Sequence, residues 1–180
     1  MDREFWVFGY GSLMWDPGFA FVERRIARLE GWQRRFCMWS IHYRGTPEAP
    51  GLVLALDRAE GEFCEGIAFR IAAEEAEATH ALLQERELIS YAYAEAFLPV
   101  RLAGGEEVEA LAYVINQGHE QYARHLSTEE QAQLIATRAG QRGPNRDYLW
   151  NTVDHLRELG IEDPRLEALG ARVRELVGQG

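Results

Sequence analysis

The sequence predicts an α+β fold, with strands in the first half of the chain and helices interspersed later. Three observations lead to this prediction. Short apolar runs bounded by glycine or polar residues fill the first half, as is typical of strands. Stretches with helical periodicity and helix-capping residues follow them. The two kinds of segment do not alternate regularly, which argues against a doubly wound parallel sheet.

Four strands are predicted in chain order. Residues 5–10 form an aromatic and β-branched run that stops in a glycine-rich segment, which favours a buried strand. Residues 51–57 and 66–71 are two further apolar runs, and the polar segment 58–62 between them predicts a hairpin connection. Every second residue from 108 to 114 is apolar, as in a strand with one buried face.

Two helices are predicted before residue 140. The first covers residues 72–87 and is rich in alanine and glutamate. Its predicted apolar face contains Ala76, Thr79 and Leu83. The second covers residues 127–139 and begins with Ser-Thr-Glu-Glu, which predicts a capping box between Ser127 and Glu130.

Two more helices are predicted near the end of the chain. Asn145 is the expected N-cap of a helix that runs to Leu159. Asp163 is the expected N-cap of the last helix, with Pro164 at its first position and Gly178 after its end.

The composition indicates an ordinary globular protein of acidic charge. The 180 residues include 29 acidic and 19 basic side chains, which gives a formal net charge of −10. This length predicts one domain, residues 1–180, with a core of its own. Because an acidic excess disfavours a phosphate-binding surface, we expect no nucleic acid and no anionic membrane as partner. The composition and the charge do not exclude a small-molecule substrate.

The cellular location is predicted from the ends and the cysteines. Residues 1–8 lack the basic and apolar regions of a signal peptide, and no apolar run reaches the ~18 residues of a membrane span. Cys37 and Cys64 are too few and too isolated for a disulfide framework or a cysteine-rich metal site. We therefore expect a cytoplasmic protein with two buried thiols, although the sequence also allows a single disulfide bridge.

The most informative segment follows the first predicted strand and reads Val-Phe-Gly-Tyr-Gly-Ser-Leu at residues 7–13. Glycine admits a ligand close to the backbone, and successive amides with the Ser12 hydroxyl form a concave donor site for a carboxylate or similar anion. The segment is not a dinucleotide-binding fingerprint, because position 14 is methionine where that motif needs glycine. It is not a P-loop, because no Gly-Lys-Ser/Thr follows. From the residues alone, a tight turn at a strand end is the other interpretation.

Residues 7–15, Val-Phe-Gly-Tyr-Gly-Ser-Leu-Met-Trp, resemble the opening motif of the ChaC family of γ-glutamylcyclotransferases. Further blocks match that family in order, and the resemblance covers about residues 5–150. These blocks are Arg34-Arg35-Phe36, Ser40, residues 44–51, Glu85-Arg86-Glu87 with Tyr91 and Tyr93, and residues 143–149. The resemblance implies a cyclotransferase-like fold, which is a small mixed β-barrel flanked by helices. It also implies an enzyme without cofactor or metal that releases γ-glutamyl groups as 5-oxoproline, with cysteinylglycine as the second product from glutathione.

The implied reaction is an intramolecular aminolysis, in which the α-amine of the γ-glutamyl unit attacks its own γ-carbonyl carbon. The amine has to lose a proton and the leaving amine has to gain one, so one carboxylate is able to serve both steps. The family motif places Glu87 in that role. On the first predicted helix, Glu87 lies within about 40° of Leu83, while Glu85 points nearly the opposite way. We expect burial at this edge to raise the pKa of Glu87, whereas spacing alone leaves open a solvated helix end.

The resemblance and the loop chemistry together predict the substrate-binding residues. They are Val7, Phe8, Gly9, Tyr10, Gly11, Ser12, Leu13, Arg44 and Tyr148. We expect the loop amides to bind the α-carboxylate or the γ-carbonyl, and Arg44 to pair with a carboxylate through its guanidinium fork. Tyr148 would donate from its hydroxyl. An ordinary loop arginine and a core tyrosine are the alternatives. These groups predict a locally positive pocket on an acidic protein.

The sequence departs from the family directly after Glu87. Vertebrate glutathione-degrading members have a Gly-Gly-Tyr stretch there, whereas this chain has Leu-Ile-Ser-Tyr at residues 88–91. Two alternatives therefore stand beside a glutathione-specific enzyme. The first is a cyclotransferase for other γ-glutamyl amino acids or amines. The second is a non-catalytic module that binds γ-glutamyl compounds or regulates ion transport, for which a base at position 87 has no use.

Overall fold

The computed structural model describes residues 3–179. Met1 and Asp2 at the start of the chain and Gly180 at its end lie outside the described residues. The contacts divide the chain into two compact units. The barrel unit comprises the residues up to Arg34 together with Leu56–His119. The helical unit comprises Arg35–Ala55 and the residues from Glu120 onwards. The single domain expected over residues 1–180 stays a prediction.

Five strands close into a mixed β-barrel in the order β1-β3-β2-β4-β5. They are β1 (Phe5–Gly9), β2 (Glu23–Ser40), β3 (Gly51–Ile71), β4 (Tyr93–Leu102) and β5 (Glu107–Ile115). β1 pairs antiparallel with β3 and parallel with β5, with Trp6 opposite Ala110. The apolar positions predicted for β5 face the barrel core, where Ala110 packs with Phe8 and Leu56.

The hairpin predicted at residues 58–62 is wrong. β3 runs without interruption through this segment, from Gly51 to Ile71, and contributes residues to both units. The side chains of residues 58–62 are exposed or half-buried, so their polarity reflects contact with solvent and not a reversal of the chain. The runs 51–57 and 66–71 are therefore two parts of one long strand.

The helices follow the predicted positions closely. They are α1 (Ala76–Glu87), which a short 3-10 helix (Ala73–Glu75) precedes, α2 (Thr128–Thr137), α3 (Asn145–Glu158) and α4 (Pro164–Gly178). Two-residue strands β6 (Ala139–Gly140) and β7 (Gly143–Pro144) pair between α2 and α3. None of the helices in residues 3–179 is long and apolar enough to span a lipid bilayer.

The helix ends test the predicted caps. The capping box is confirmed, because the Glu130 amide donates to Ser127 Oγ at 3.1 Å and the Ser127 amide donates to Glu130 Oε2 at 2.7 Å. Asp163 is confirmed as a cap, because its Oδ1 accepts from the Leu166 amide at 3.1 Å. The predicted Asn145 cap is wrong, since Asn145 is the first helical residue and its side chain bonds to the backbone of Leu52 instead.

Candidate active site

Glu87 is the last residue of α1 and is half-buried. Ala76, Thr79 and Leu83 of α1 are buried, and the Glu87 side chain is 19% exposed, whereas Glu85 is exposed. The helix therefore places Glu87 at the edge of its buried face and points Glu85 into solvent, as predicted from the spacing. This placement removes most of the water around one carboxylate at the end of the helix.

Burial raises the pKa of Glu87 above its ordinary value, and the positive charge of Arg86 opposes this rise only in part. Arg86 Nε lies 3.4 Å from Glu87 Oε1. The expectation that the helix face would raise this pKa is thus confirmed. A carboxyl group whose pKa is raised toward neutrality both accepts and returns a proton more readily under physiological conditions.

A hydrogen-bonded cluster in the barrel unit lies close enough to Glu87 to interact with it electrostatically. The Tyr113 hydroxyl on β5 donates to Glu95 Oε1 on β4 at 2.8 Å, and His80 Nε2 lies 2.9 Å from the same oxygen. Burial, this hydrogen bond and the charges of Glu95 and Glu87 all raise the pKa of Tyr113, so its hydroxyl stays protonated at neutral pH. In residues 3–179, no group of three His, Cys, Asp or Glu side chains is arranged to hold a metal ion.

The glycine loop connects β1 to a short 3-10 helix, Ser12–Met14. The carbonyl of Gly11 accepts from the Met14 amide at 2.9 Å, and that of Ser12 accepts from the Asp16 amide at 2.8 Å. The first amides of any helix have no preceding turn to which they donate, so Ser12 and Leu13 supply backbone donors at the start of this one. The loop therefore combines ordered carbonyls with amides that are suited to an anion.

The side chains of the loop residues have different surroundings. Val7, Phe8, Tyr10 and Leu13 are buried, and Phe8 and Tyr10 belong to the barrel core. Ser12 and Gly11 are half-buried. The apolar residues of the predicted binding set therefore anchor the loop from inside, while Gly11 and Ser12 stay partly accessible to solvent.

Arg34 and Gly66 support the loop from inside the barrel unit. Arg34 is only 4% exposed, and its Nε donates to the carbonyl of Tyr10 at 2.6 Å while its Nη2 donates to the carbonyl of Glu65. Because the C=O and N–H of one peptide point in opposite directions, the Gly11 amide faces away from Arg34. Gly66 lies directly against Gly9, where a Cβ would be 2.3 Å from the Gly9 carbonyl oxygen.

Arg86 joins the end of α1 to the glycine loop. Its Nη2 donates to Ser12 Oγ at 3.1 Å, and its Nη1 donates to the carbonyls of Asp16 at 3.1 Å and Pro17 at 3.3 Å. No local pattern in the sequence indicates this contact, although Arg86 directly precedes the predicted base. Two positive side chains of the barrel unit therefore contact the loop, Arg34 at the Tyr10 carbonyl and Arg86 at the Ser12 hydroxyl.

Arg44 and Tyr148 lie together in the helical unit. Arg44 Nη1 donates to the carbonyls of Arg142 at 2.8 Å and Pro144 at 3.1 Å, and its guanidinium lies 5.5 Å from the centre of the Tyr148 ring. Burial lowers the pKa of Arg44. The Tyr148 hydroxyl accepts from the Leu54 amide at 3.4 Å. The structure thus groups the predicted residues into two sets, one in each unit.

Comparison with known proteins supports the fold and the family. The family model described as ChaC-like protein matches residues 5–176. A glutathione-specific γ-glutamylcyclotransferase of Escherichia coli is 36% identical over 174 residues, which cover 97% of this chain and 74% of the relative. A protein of the same name from Schizosaccharomyces pombe is 34% identical over 193 residues, covering 97% and 94%.

A solved structure gives the same result for the architecture. The γ-glutamyl cyclotransferase specific to glutathione from yeast superposes with a TM-score of 0.84 at 23% identity, covering 96% of both chains. The predicted α+β class and the small mixed barrel with helices are therefore confirmed. With a family model that spans residues 5–176, the chain belongs to the family of ChaC-like proteins.

Proposed function

We propose that this chain is a glutathione-specific γ-glutamylcyclotransferase, an enzyme that converts glutathione to 5-oxoproline and cysteinylglycine. The observation that carries the proposal is the half-buried Glu87, whose pKa is raised and which Arg86 ties to the glycine loop. The names of the Escherichia coli and Schizosaccharomyces pombe relatives support the substrate. A pure binding module would have no need for a buried proton acceptor beside its ligand loop.

In the proposed mechanism Glu87 carries protons between the two nitrogens of the substrate. Its carboxylate takes a proton from the α-ammonium, the freed amine attacks the γ-carbonyl carbon, and the amide C–N bond breaks as the proton passes to the leaving nitrogen. The attacking nitrogen loses two protons on its way from ammonium to lactam, and the leaving nitrogen gains two on its way to ammonium. Glu87 therefore acts twice and ends as it began, and such transfer contributes about 10²–10⁴-fold.

The glycine loop holds the substrate in the geometry for ring closure. The amides near Ser12 and Leu13, with the Ser12 hydroxyl, bind the α-carboxylate or the γ-carbonyl oxygen, as their position at the start of the 3-10 helix supports. Positioning is a large part of the rate, because well-oriented intramolecular reactions reach effective molarities of about 10⁵–10⁸ M.

We also propose that Arg44 and Tyr148 bind the substrate. The carbonyls of Arg142 and Pro144 engage Nη1 of Arg44, and a guanidinium has further N–H donors on Nη2 and Nε for a carboxylate. Anchoring one nitrogen of this kind reduces the entropy that the side chain loses when it binds an anion. The Tyr148 hydroxyl accepts from the Leu54 amide, which holds this polar group in the same unit as Arg44.

The enzyme we propose is cytoplasmic and acts on a small molecule without cofactor, metal, nucleic acid or membrane as partner. Cys37 and Cys64 are both buried thiols, which supports a reducing compartment. A cyclotransferase for other γ-glutamyl amino acids or amines is the second candidate. It is favoured by the segment after Glu87, where this chain has Leu-Ile-Ser-Tyr at residues 88–91 and vertebrate members have Gly-Gly-Tyr. Within this segment Ile89 is 78% exposed and Tyr91 is 73% exposed.

The test incubates the purified chain with glutathione and with γ-glutamyl-alanine and measures 5-oxoproline and the released amine. Product from glutathione alone supports the first candidate, and product only from γ-glutamyl-alanine supports the second. Glu87→Gln is expected to abolish turnover while it retains ligand binding, and Glu85→Gln, an exposed carboxylate on the same helix, is the matched control. Unchanged turnover in Glu87→Gln would contradict the mechanism.

A further inference from the structure

Arg86 contacts both the candidate base and the candidate substrate loop, yet the mechanism above gives it no task. Its guanidinium meets Ser12 Oγ at 3.1 Å, the Asp16 carbonyl at 3.1 Å and the Pro17 carbonyl at 3.3 Å, while its Nε lies 3.4 Å from Glu87 Oε1. We propose that Arg86 is a positioning residue of the cyclotransferase reaction, which fixes the glycine loop relative to Glu87. This inference rests on the proposed function.

The geometry of the guanidinium makes this role specific to arginine. The group is planar, and its five N–H donors have fixed directions. In this structure Nη1 binds the chain that leaves the loop, Nη2 binds the loop itself through Ser12, and Nε faces Glu87. One rigid group therefore sets the separation between three points of the site. A lysine ammonium at the same position has the charge but only a single donor atom.

The same contact also orients the Ser12 hydroxyl. Arginine is a hydrogen-bond donor only, so Ser12 Oγ accepts from Arg86 Nη2, and the Ser12 proton has to point away from the guanidinium. The hydroxyl is thereby kept as a donor for an anionic or carbonyl oxygen of the substrate. Without the guanidinium, the Ser12 hydroxyl would no longer be held in this orientation.

The charge of Arg86 acts on the base as well. The titratable groups around Glu87 are Arg86 on its own helix and Tyr113 on β5, whose hydroxyl bonds to Glu95 on β4, beside His80. Of these groups, Arg86 alone carries a permanent positive charge. Removing it lets the pKa of Glu87 rise further, so that less of the carboxylate is present at neutral pH.

The experiment compares Arg86→Gln and Arg86→Lys with Arg28→Gln, a surface arginine of the barrel unit that pairs with Glu30. Two readouts are measured, kcat/KM for glutathione against pH and the titration of Glu87 by carbon NMR, assigned with Glu87→Gln. Arg86→Gln is expected to lower kcat/KM by about 10- to 100-fold, as for a site displaced by about 1 Å. It is also expected to move two curves to higher pH, the acidic limb of the pH profile of kcat/KM and the titration of Glu87. Arg86→Lys is expected to lower kcat/KM with the acidic limb near that of the native chain, and Arg28→Gln to change neither.

Either of two results would overturn the inference: an unmoved acidic limb and Glu87 titration in Arg86→Gln, or full kcat/KM in Arg86→Lys. Thermal unfolding of each variant shows whether it is folded. If Arg86→Gln does not fold, the double variant Arg86→Lys with Ser12→Ala is compared with the two single variants. If the losses in kcat/KM of the single variants simply add in the double variant, Arg86 does not act through Ser12 and the inference is contradicted. If the native chain forms no 5-oxoproline from any γ-glutamyl compound, the proposed function fails, while the NMR titration still decides the effect of Arg86 on Glu87.

Discussion

The close approach of Gly66 to Gly9 gives a sharp test of how rigidly the loop has to be held. A Cβ at position 66 would lie 2.3 Å from the Gly9 carbonyl oxygen and 2.9 Å from the Phe8 ring. Gly66→Ala therefore has to push the end of β1 outward by about 0.7 Å or more before the contact becomes tolerable. The backbone cannot rotate out of the way, because Gly9 is paired with Ile67 in the sheet.

The magnitude follows from this displacement. A shift approaching 1 Å in a positioned catalytic site costs about 10²-fold, so we expect Gly66→Ala to lower kcat/KM by about 10- to 100-fold. Overpacking of the interior should also lower the free energy of unfolding by about 1–3 kcal/mol. Gly178→Ala is the matched control, because a Cβ there meets no atom within 4 Å.

The assay is steady-state 5-oxoproline release from glutathione, run well below the unfolding temperature of each variant. Chemical denaturation measures the stability separately, so that a loss of folded protein is not counted as a loss of activity. A folded Gly66→Ala variant with kcat/KM within twofold of the native chain would refute the reasoning. It would mean that the loop tolerates displacement and that its amides do not position the substrate.

Three further predictions concern buried polar groups. Arg34→Lys should lower kcat/KM about tenfold in steady-state kinetics, because an ammonium cannot donate to the carbonyls of Tyr10 and Glu65 with the same fork. Glu87→Gln should raise stability at pH 7, since an acid whose folded pKa is raised is destabilising when ionised, and the gain should vanish in acid; denaturation against pH measures it. Asn145→Ala should cost about 2–5 kcal/mol in urea unfolding, because it leaves two buried backbone groups of Leu52 unpaired, whereas the exposed Asn151→Ala should cost almost nothing.

The helices were predictable because their signals are local. The capping box at Ser127 and the cap at Asp163 each involve residues three positions apart, so the sequence contains both partners. Asn145 shows the limit of such reasoning. The same amide could cap its own helix or pair with a distant strand, and it bonds to Leu52, which is 93 residues away. Only the tertiary contact decides between these outcomes.

The strands were predicted only where burial makes them apolar. β1 and β5 contribute continuous or alternating apolar residues to the core, and both were predicted. β2 and β4 were not, because their exposed faces contain arginine and glutamate, as at Arg24, Glu30 and Arg101, so that these segments resemble polar connections. The polar segment 58–62 was misread for the same reason. A long strand in a small barrel has stretches that face solvent, and their composition resembles that of a turn.

In the candidate site, the sequence indicated the groups to which we assign the chemistry but not the residues that hold them in place. Glu87 and the glycine loop follow from a motif and from helical spacing. The contacts of Arg34 with Tyr10 and of Arg86 with Ser12 join residues 24 and 74 positions apart, which no local pattern indicates. Supporting contacts of this kind depend on how the barrel closes, so the structure is needed to find them.

The charge of the protein explains why such supports are needed. Glutathione has two carboxylates and one ammonium and is a net anion, and a chain of net charge −10 does not steer it in from a distance. Attraction therefore has to come from groups within a few ångströms. A salt screening length of about 8 Å hardly weakens contacts that short, whereas it weakens repulsion from the distant acidic surface. Glutathione binding is measured by calorimetry with the Glu87→Gln variant, because the native chain would consume the ligand. Its affinity should strengthen or stay constant as salt rises from low to physiological concentration, and a steep fall would show that long-range attraction contributes after all.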